Sequence, residues 1–287
     1  MNTAPNPGEG MDLEVALRLH TFARRTCIDR DAHWATLYSE LAQAGRDRID
    51  FGDYTDEAYA IFPRYNVLRA VLDRIEALDP VALPTCEELR SLLVQAAASA
   101  SSDFTRPDAN PIREKAMADE RETLTQIFRE VSVAELADVA PLFYRRILSA
   151  DEVQSWRKAI ESAWGATDDY WYPLGPKTHP SLVALELVGI AEALPERLKR
   201  YFADNAIARL IELREYDASY EIQADAAMVA YTGREGFWIS PGNRWIIYCS
   251  HEETITFGGA IAAKVGPDFP ASHYDPSQPP HWAAVRQ

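Results

Sequence analysis

Through the first half of the chain, apolar residues recur at helical spacing; near the end they alternate. Leu68, Val71, Leu72, Ile75 and Leu78 fall three and four apart, and Pro80 follows, which predicts a helix that stops there. Thr85 stands three residues before Glu88, a capping box in which hydroxyl and carboxylate each satisfy a free backbone N–H. It opens a helix with Leu89, Leu92, Leu93, Ala96 and Ala97 on one face. Ser132 with Glu135 and Ser149 with Glu152 repeat the device. The last of these starts a helix carrying Val153, Trp156, Ile160 and Trp164, with Gly165 as its C-terminal stop. Pro141 lacks a backbone N–H and predicts a kink or break in the helix before it. Residues 11–165 therefore read as a helical domain after a flexible leader, 1–10, with SSDFTRPDANP at 101–111 as a loop inside it. Short connections favour antiparallel packing of its helices.

Periodicity pauses over ATDDYWYPLGPKTHP, residues 166–180, and the reading continues with a helix over Leu182 to Leu194 and a short one opened by Pro195. From Arg209 the character changes. RLIELREY, FWIS, RWIIYCS and TITFGG each read as strands bounded by turn residues, an antiparallel meander over 209–262 with an irregular tail from Gly266. A turn at Pro241-Gly242 pairs Trp238 with Trp245 and Phe237 with Ile246, although Pro-Gly fits hairpin twist poorly and a wider loop is admissible. A turn at His251-Glu252 sets Tyr248 opposite Ile255 and Ile246 opposite Phe257. Phe237, Ile246, Tyr248, Ile255 and Phe257 then share one face, and Trp238, Trp245, Ile247, Cys249, Thr254 and Thr256 the other. The fold class expected is α+β: an N-terminal helical bundle followed by a smaller C-terminal antiparallel sheet with one or two helices, the latter over 166–287.

Composition narrows function mainly by exclusion. Of 287 residues, 47% are hydrophobic and 25% charged, enough apolar surface for a sizeable core without metals or disulfides. Forty-four acidic against 29 basic side chains give a formal net charge of −15, a field that repels nucleic acid and anionic lipid and suits a basic protein partner. Cys27, Cys86 and Cys249 are widely separated, which argues against a disulfide framework or a thiolate zinc site. The leader MNTAPNPGEG lacks the regions of a signal peptide and no apolar run reaches the roughly 18 residues of a membrane span, so a cytoplasmic location is expected. Walker A, G-x-G-x-x-G, kinase and nucleic-acid motifs are missing, and no cofactor or metal is expected.

The candidate chemistry centres on Ser250-His251-Glu252-Glu253. Neighbours on extended chain point to opposite sides, so these residues cannot form a triad among themselves. HEETI starts like H-E-x-x-H, but Ile255 stands where a second histidine would be. The stretch reads as a solvated hairpin tip or, alternatively, as a binding loop; as an enzyme, His251 with Glu252 or Glu253 would be the catalytic set. His179, His273 and His281 are unpaired candidates for metal ligands, with nothing in their spacing to recommend them. Asp168, Asp169, Tyr170, Trp171 and Tyr172 form an acidic-aromatic patch that either anchors a partner or covers internal apolar surface. Trp238 is a binding candidate whose alternative is packing against Trp245. Glu120-Arg121-Glu122 reads as a solvated face with local ion pairs, and Arg214-Glu215 as a buried pair or a site.

GREGFWISPGNRWIIYCSHEETITFGG, residues 233–259, resembles the C-terminal sheet of acidic bacterial proteins, some of them similar to immunity proteins that neutralise polymorphic toxins. The resemblance implies a binding protein that inhibits a toxin by direct contact, with a basic toxin domain as its partner. It transfers no catalytic residue. The expected function is therefore a cytoplasmic, non-enzymatic binding protein contacting its partner through the 168–172 patch, Trp238, His251 and Glu252. The alternatives are a hydrolase with His251 in a cleft between the two halves, or a structural scaffold subunit.

Overall fold

The computed structural model describes residues 7–49, 52–166, 171, 181–187 and 189–270, with side chains from residue 12 onward. The fold is α+β, and contacts divide the chain into two compact units, Met1–Leu142 and Phe143–Gln287. The division falls before the helix that starts at Ser149, which belongs with the sheet rather than closing the helical part at 165.

The first unit holds α1 (Pro7–Gln43), α2 (Asp56–Glu76), α3 (Cys86–Ser99), α4 (Pro111–Glu130) and the short α5 (Val133–Ala137). The capping boxes at Thr85 and Ser132 form as expected. Asn110 caps α4 by accepting from the N–H groups of Ile112 and Arg113, with Pro111 in the first turn where its missing N–H costs nothing. Helix α1 packs on α2 and α3, and α4 on α2 and α3, around Leu19, Val67, Leu68, Val71, Ile75, Leu89, Leu93, Leu124 and Phe128. Leu92 departs from the expected face of α3: the buried stripe is Leu89, Leu93 and Ala97, and Leu92 looks outward.

Buried charge runs through this unit. Glu120 is fully buried, which corrects the solvated face read from its sequence neighbours. Its carboxylate takes Arg30 in a fork at 2.7 and 3.0 Å, accepts from Trp34 Nε1 at 3.2 Å, and lies 3.6 Å from Arg64, whose guanidinium stacks over the Trp34 ring. Adjacent Arg121 donates to the carbonyls of Ala97 and Ala100, satisfying the free end of α3. Glu76 and Arg24 form a second buried pair at 3.0 Å.

His20 is also buried, with Nε2 3.1 Å from the Ile75 carbonyl. A carbonyl can only accept, so Nε2 carries the hydrogen. Burial drives this imidazole from an ordinary pKa of 6.5 down to about 4. The unfolded chain therefore binds the proton more readily, and the stability carried by neutral His20 is complete above pH 6.5 and lost as pH falls toward 4. Between pH 7 and 4.5 the loss should be about 2–3 kcal/mol. His20→Gln keeps a donor for Ile75 and removes the titration, so urea midpoints of the variant should vary much less over that range. A variant with the wild-type slope would show that another group carries it.

The second unit holds β1 (Arg145–Ile147), α6 (Ala150–Trp164), β2 (Leu182–Glu186), α7 (Leu194–Asp204), β3 (Arg209–Arg214), β4 (Tyr220–Gln223), β5 (Gly236–Ile239), β6 (Trp245–Cys249), β7 (Thr254–Gly259) and the one-turn α8 (Ala262–Val265). The strands form one antiparallel sheet in the order β1-β4-β3-β5-β6-β7-β2. β3, β5, β6 and β7 are successive neighbours as expected; β4, inserted in the chain between β3 and β5, pairs on the far side of β3. Where a helix was expected over Leu182 to Leu194, the chain makes β2, paired with β7, followed by a turn into α7. LVALE contains good helix formers, and the open ladder of β7 overrides them.

Both faces of the sheet are covered. Ile160 and Trp164 of α6 pack on Ile211, Leu213, Phe237, Ile239, Ile246 and Tyr248. Leu194, Leu198, Tyr201 and Phe202 of α7, with α8, pack on Leu210, Trp238, Trp245, Ile247, Cys249, Ile255 and Phe257. Ile255 and Phe257 thus sit on the face opposite to the one expected, and Thr254 and Thr256 exchange with them. The cause is the loop: Ser250 N–H bonds the Thr254 carbonyl, leaving three residues in the turn, and Glu253 adopts φ +55° to close it. That extra residue slips β7 by one, setting Ile247 opposite Phe257 and Tyr248 opposite Thr256. The other hairpin is wider than Pro-Gly alone, with Ser240 bonding Trp245, so Trp238 faces Ile247 and not Trp245.

Candidate functional site

The site is assembled by strand register. Arg214 ends β3 opposite Gly236, and Gly236 lies opposite Cys249, the last residue of β6. The loops 215–219, 233–235 and 250–253 therefore meet at one end of the sheet. Glu215 N–H bonds the Glu235 carbonyl at 3.1 Å, which ties the second loop to the first.

Glu235 is the centre of this end. Its Oε1 lies 2.5 Å from His251 Nδ1 and accepts from the Ser250 hydroxyl at 3.3 Å and the His251 N–H at 3.5 Å. Its Oε2 accepts from the Tyr248 hydroxyl. Ser250 Oγ also accepts from Glu252 N–H at 3.2 Å, closing the first turn of the hairpin loop. Glu235 is largely buried, with 13% of its side chain accessible, while the His251 side chain is 55% accessible. A carboxylate cannot donate, so Nδ1 carries the hydrogen of this bond.

The Ser250 hydroxyl donates to Glu235 and accepts from the Glu252 N–H, so its hydrogen bonds go to the loop carboxylate and backbone and not to the imidazole. Cys249, beside them at the end of β6, is buried, and that burial pushes its thiol up. No group of His, Cys, Asp and Glu suited to a metal ion occurs among the described residues.

The surrounding charge is one-sided. The three loops carry Glu215, Asp217, Glu235, Glu252 and Glu253 against Arg234, which pairs with Asp217, and His251. Tyr216 stands among them 65% exposed, its phenol pKa pushed up by a hydrogen bond from the hydroxyl to Glu215. Arg214, at the strand end, pairs with buried Glu212 rather than with Glu215.

The sequence-derived candidates divide. His251, Glu252 and Glu253 are in this loop end, but the carboxylate that holds His251 is Glu235, sixteen residues earlier. Trp171 is buried against Phe237 and Tyr248, and Trp238 is buried on the α7 face, so neither is presented to a partner. Asp168, Asp169, Tyr170 and Tyr172, like His179, His273 and His281, lie outside the described residues. Glu235, Tyr216 and Tyr248 were missed; the alternation that makes β5 and β6 neighbours is the signal that could have found Glu235.

No helix among the described residues is long and apolar enough to cross a membrane. Comparison of the sequence and fold with family models, with curated proteins and with solved structures returns no match.

Proposed function

We propose that the protein is a cytoplasmic bacterial binding protein that engages a basic protein through the loop end of its sheet, as an immunity-like inhibitor of a toxin would. The observation that carries this is the acidic rim around an exposed aromatic: five loop carboxylates against one arginine, with Tyr216 largely accessible in their midst. Aromatic side chains anchor interfaces, and a one-signed rim steers an oppositely charged partner into register. The rim is also pre-organised. Glu235 is held by Tyr248, Ser250 and His251, and the sheet beneath it is buried on both faces, so little freedom is lost on binding.

The partner to test first is the product of the neighbouring gene, titrated calorimetrically at low and raised salt. Tyr216→Ala should weaken binding about 30-fold, the effect of losing an aromatic anchor of about 2 kcal/mol. Raised salt should slow association. A neighbour that does not bind, or a complex indifferent to both changes, would defeat the proposal.

A further inference from the structure

The sheet has two edges, and they differ. β1 is three residues long and bears Arg145 and Arg146. Arg145 lies over the rings of Phe143 and Tyr220, and Arg146 pairs with Glu152 and Glu221, so charge guards this edge against further pairing. β2 reads LVALE, with no basic residue and no proline. Residues of an antiparallel strand turn their N–H and C=O alternately toward and away from the neighbour. Leu187 N–H bonds Glu253 and the Ser181 carbonyl accepts from Gly259, so the odd-numbered residues of β2 face β7. Leu182, Ala184 and Glu186 present their backbone groups outward, and among the described residues no strand pairs with them. Leu182, Val183 and Ala184 are half-buried, where every residue of β5 and β6 is buried.

We propose that β2 accepts an extended segment of the basic partner protein as an eighth strand. This rests on the protein-binding reading above and names the surface it uses. The open edge runs into the acidic rim: Glu186 lies opposite Thr254, and Leu187 is bonded to Glu253. A segment paired on β2 with apolar residues opposite Val183 and Leu185 and a lysine or arginine opposite Glu186 alternates as the edge does, its basic residues falling beside Ala184 and Glu186. A second copy of this chain is the poorer occupant, because it brings another −15 against the same rim.

The test uses the full chain and amide exchange by NMR, with two octapeptides as probes, one of alternating Lys and Val and one of alternating Glu and Val. In the free chain the Ala184 and Glu186 amides should exchange fast and those of Val183 and Leu185 slowly. The lysine peptide should protect the outward amides of Leu182, Ala184 and Glu186 by about tenfold or more, and the glutamate peptide should not. Ala184→Pro removes only an outward N–H and should abolish that protection. Ala184→Lys keeps every backbone group and should weaken the lysine peptide about fivefold or more by repulsion, which covers the case in which the proline variant does not fold. An Ala184 amide already protected in the free chain would overturn the proposal, whether its own chain covers the edge or, if protection grows with concentration, a second copy does. So would equal binding of the two peptides, or binding indifferent to both substitutions. A neighbouring-gene product that binds without protecting these amides would leave the protein-binding reading intact and remove this site; the lysine peptide adding to β2 with no partner binding would do the reverse.

Discussion

Glu76→Ala should destabilise the helical unit by about 4 kcal/mol, and Glu120→Ala by about 3 kcal/mol. In each case the loss comes less from the missing attraction than from the guanidinium left behind. Arg24 has 4% of its side chain accessible and cannot reach water without opening the packing of α1 against α2. Arg30 and Arg64 have 31% and 19% accessible, so after loss of Glu120 they can recover part of their hydration. The order of the two effects is therefore the informative quantity, and chemical denaturation of both variants measures it. A larger loss for Glu120→Ala would mean that the hydrogen bond from Trp34 and the stacking of Arg64 outweigh desolvation. Replacing both members of the deeper pair, Arg24→Met with Glu76→Leu, should recover most of the loss, because no charge then remains to be buried.

These pairs also mark where the sequence stops being legible. ERE in a helix is the pattern of a solvated face, and nothing local distinguishes Glu120 from Glu122; only α1, some ninety positions away, supplies Arg30 and Trp34. The helix starts were readable because a capping box is local: Thr85, Ser132 and Ser149 each find their glutamate three residues on. The strand character of β5, β6 and β7 was readable from alternation. Their register was not, because it depends on a single backbone angle at Glu253. β2 was hidden for a different reason: Leu182, Val183, Ala184 and Leu185 are apolar at both parities, a run that period alone cannot assign. The site followed the same logic. His251 was visible as a residue type in a turn, whereas Glu235 becomes its partner only through the pairing of Gly236 with Cys249.

Gly259→Ala should destabilise the sheet unit by about 3–5 kcal/mol, the second large effect. Gly258-Gly259 ends β7 where Trp164 of α6 comes close to the backbone. Gly259 has φ +74°, and a Cβ there would lie 2.4 Å from the Arg244 carbonyl oxygen and 2.9 Å from the Trp164 ring. Neither neighbour can yield cheaply. The carbonyl belongs to the loop between β5 and β6, and Trp164 is fixed by its Nε1 bond to Asn243, whose amide in turn donates to the Ala159 carbonyl of α6. A methyl at Gly259 must therefore displace the hairpin, lift α6 from the sheet, or both. Gly165→Ala separates the two contributions. Gly165 has a similar φ of +70° but open space where its Cβ would be, so it should show the backbone term alone, about 1 kcal/mol. Denaturation midpoints of the two variants, followed by the near-ultraviolet signal of the tryptophans, decide the matter: equal losses would show that left-handed backbone strain is the whole effect and that Trp164 moves freely over the glycines.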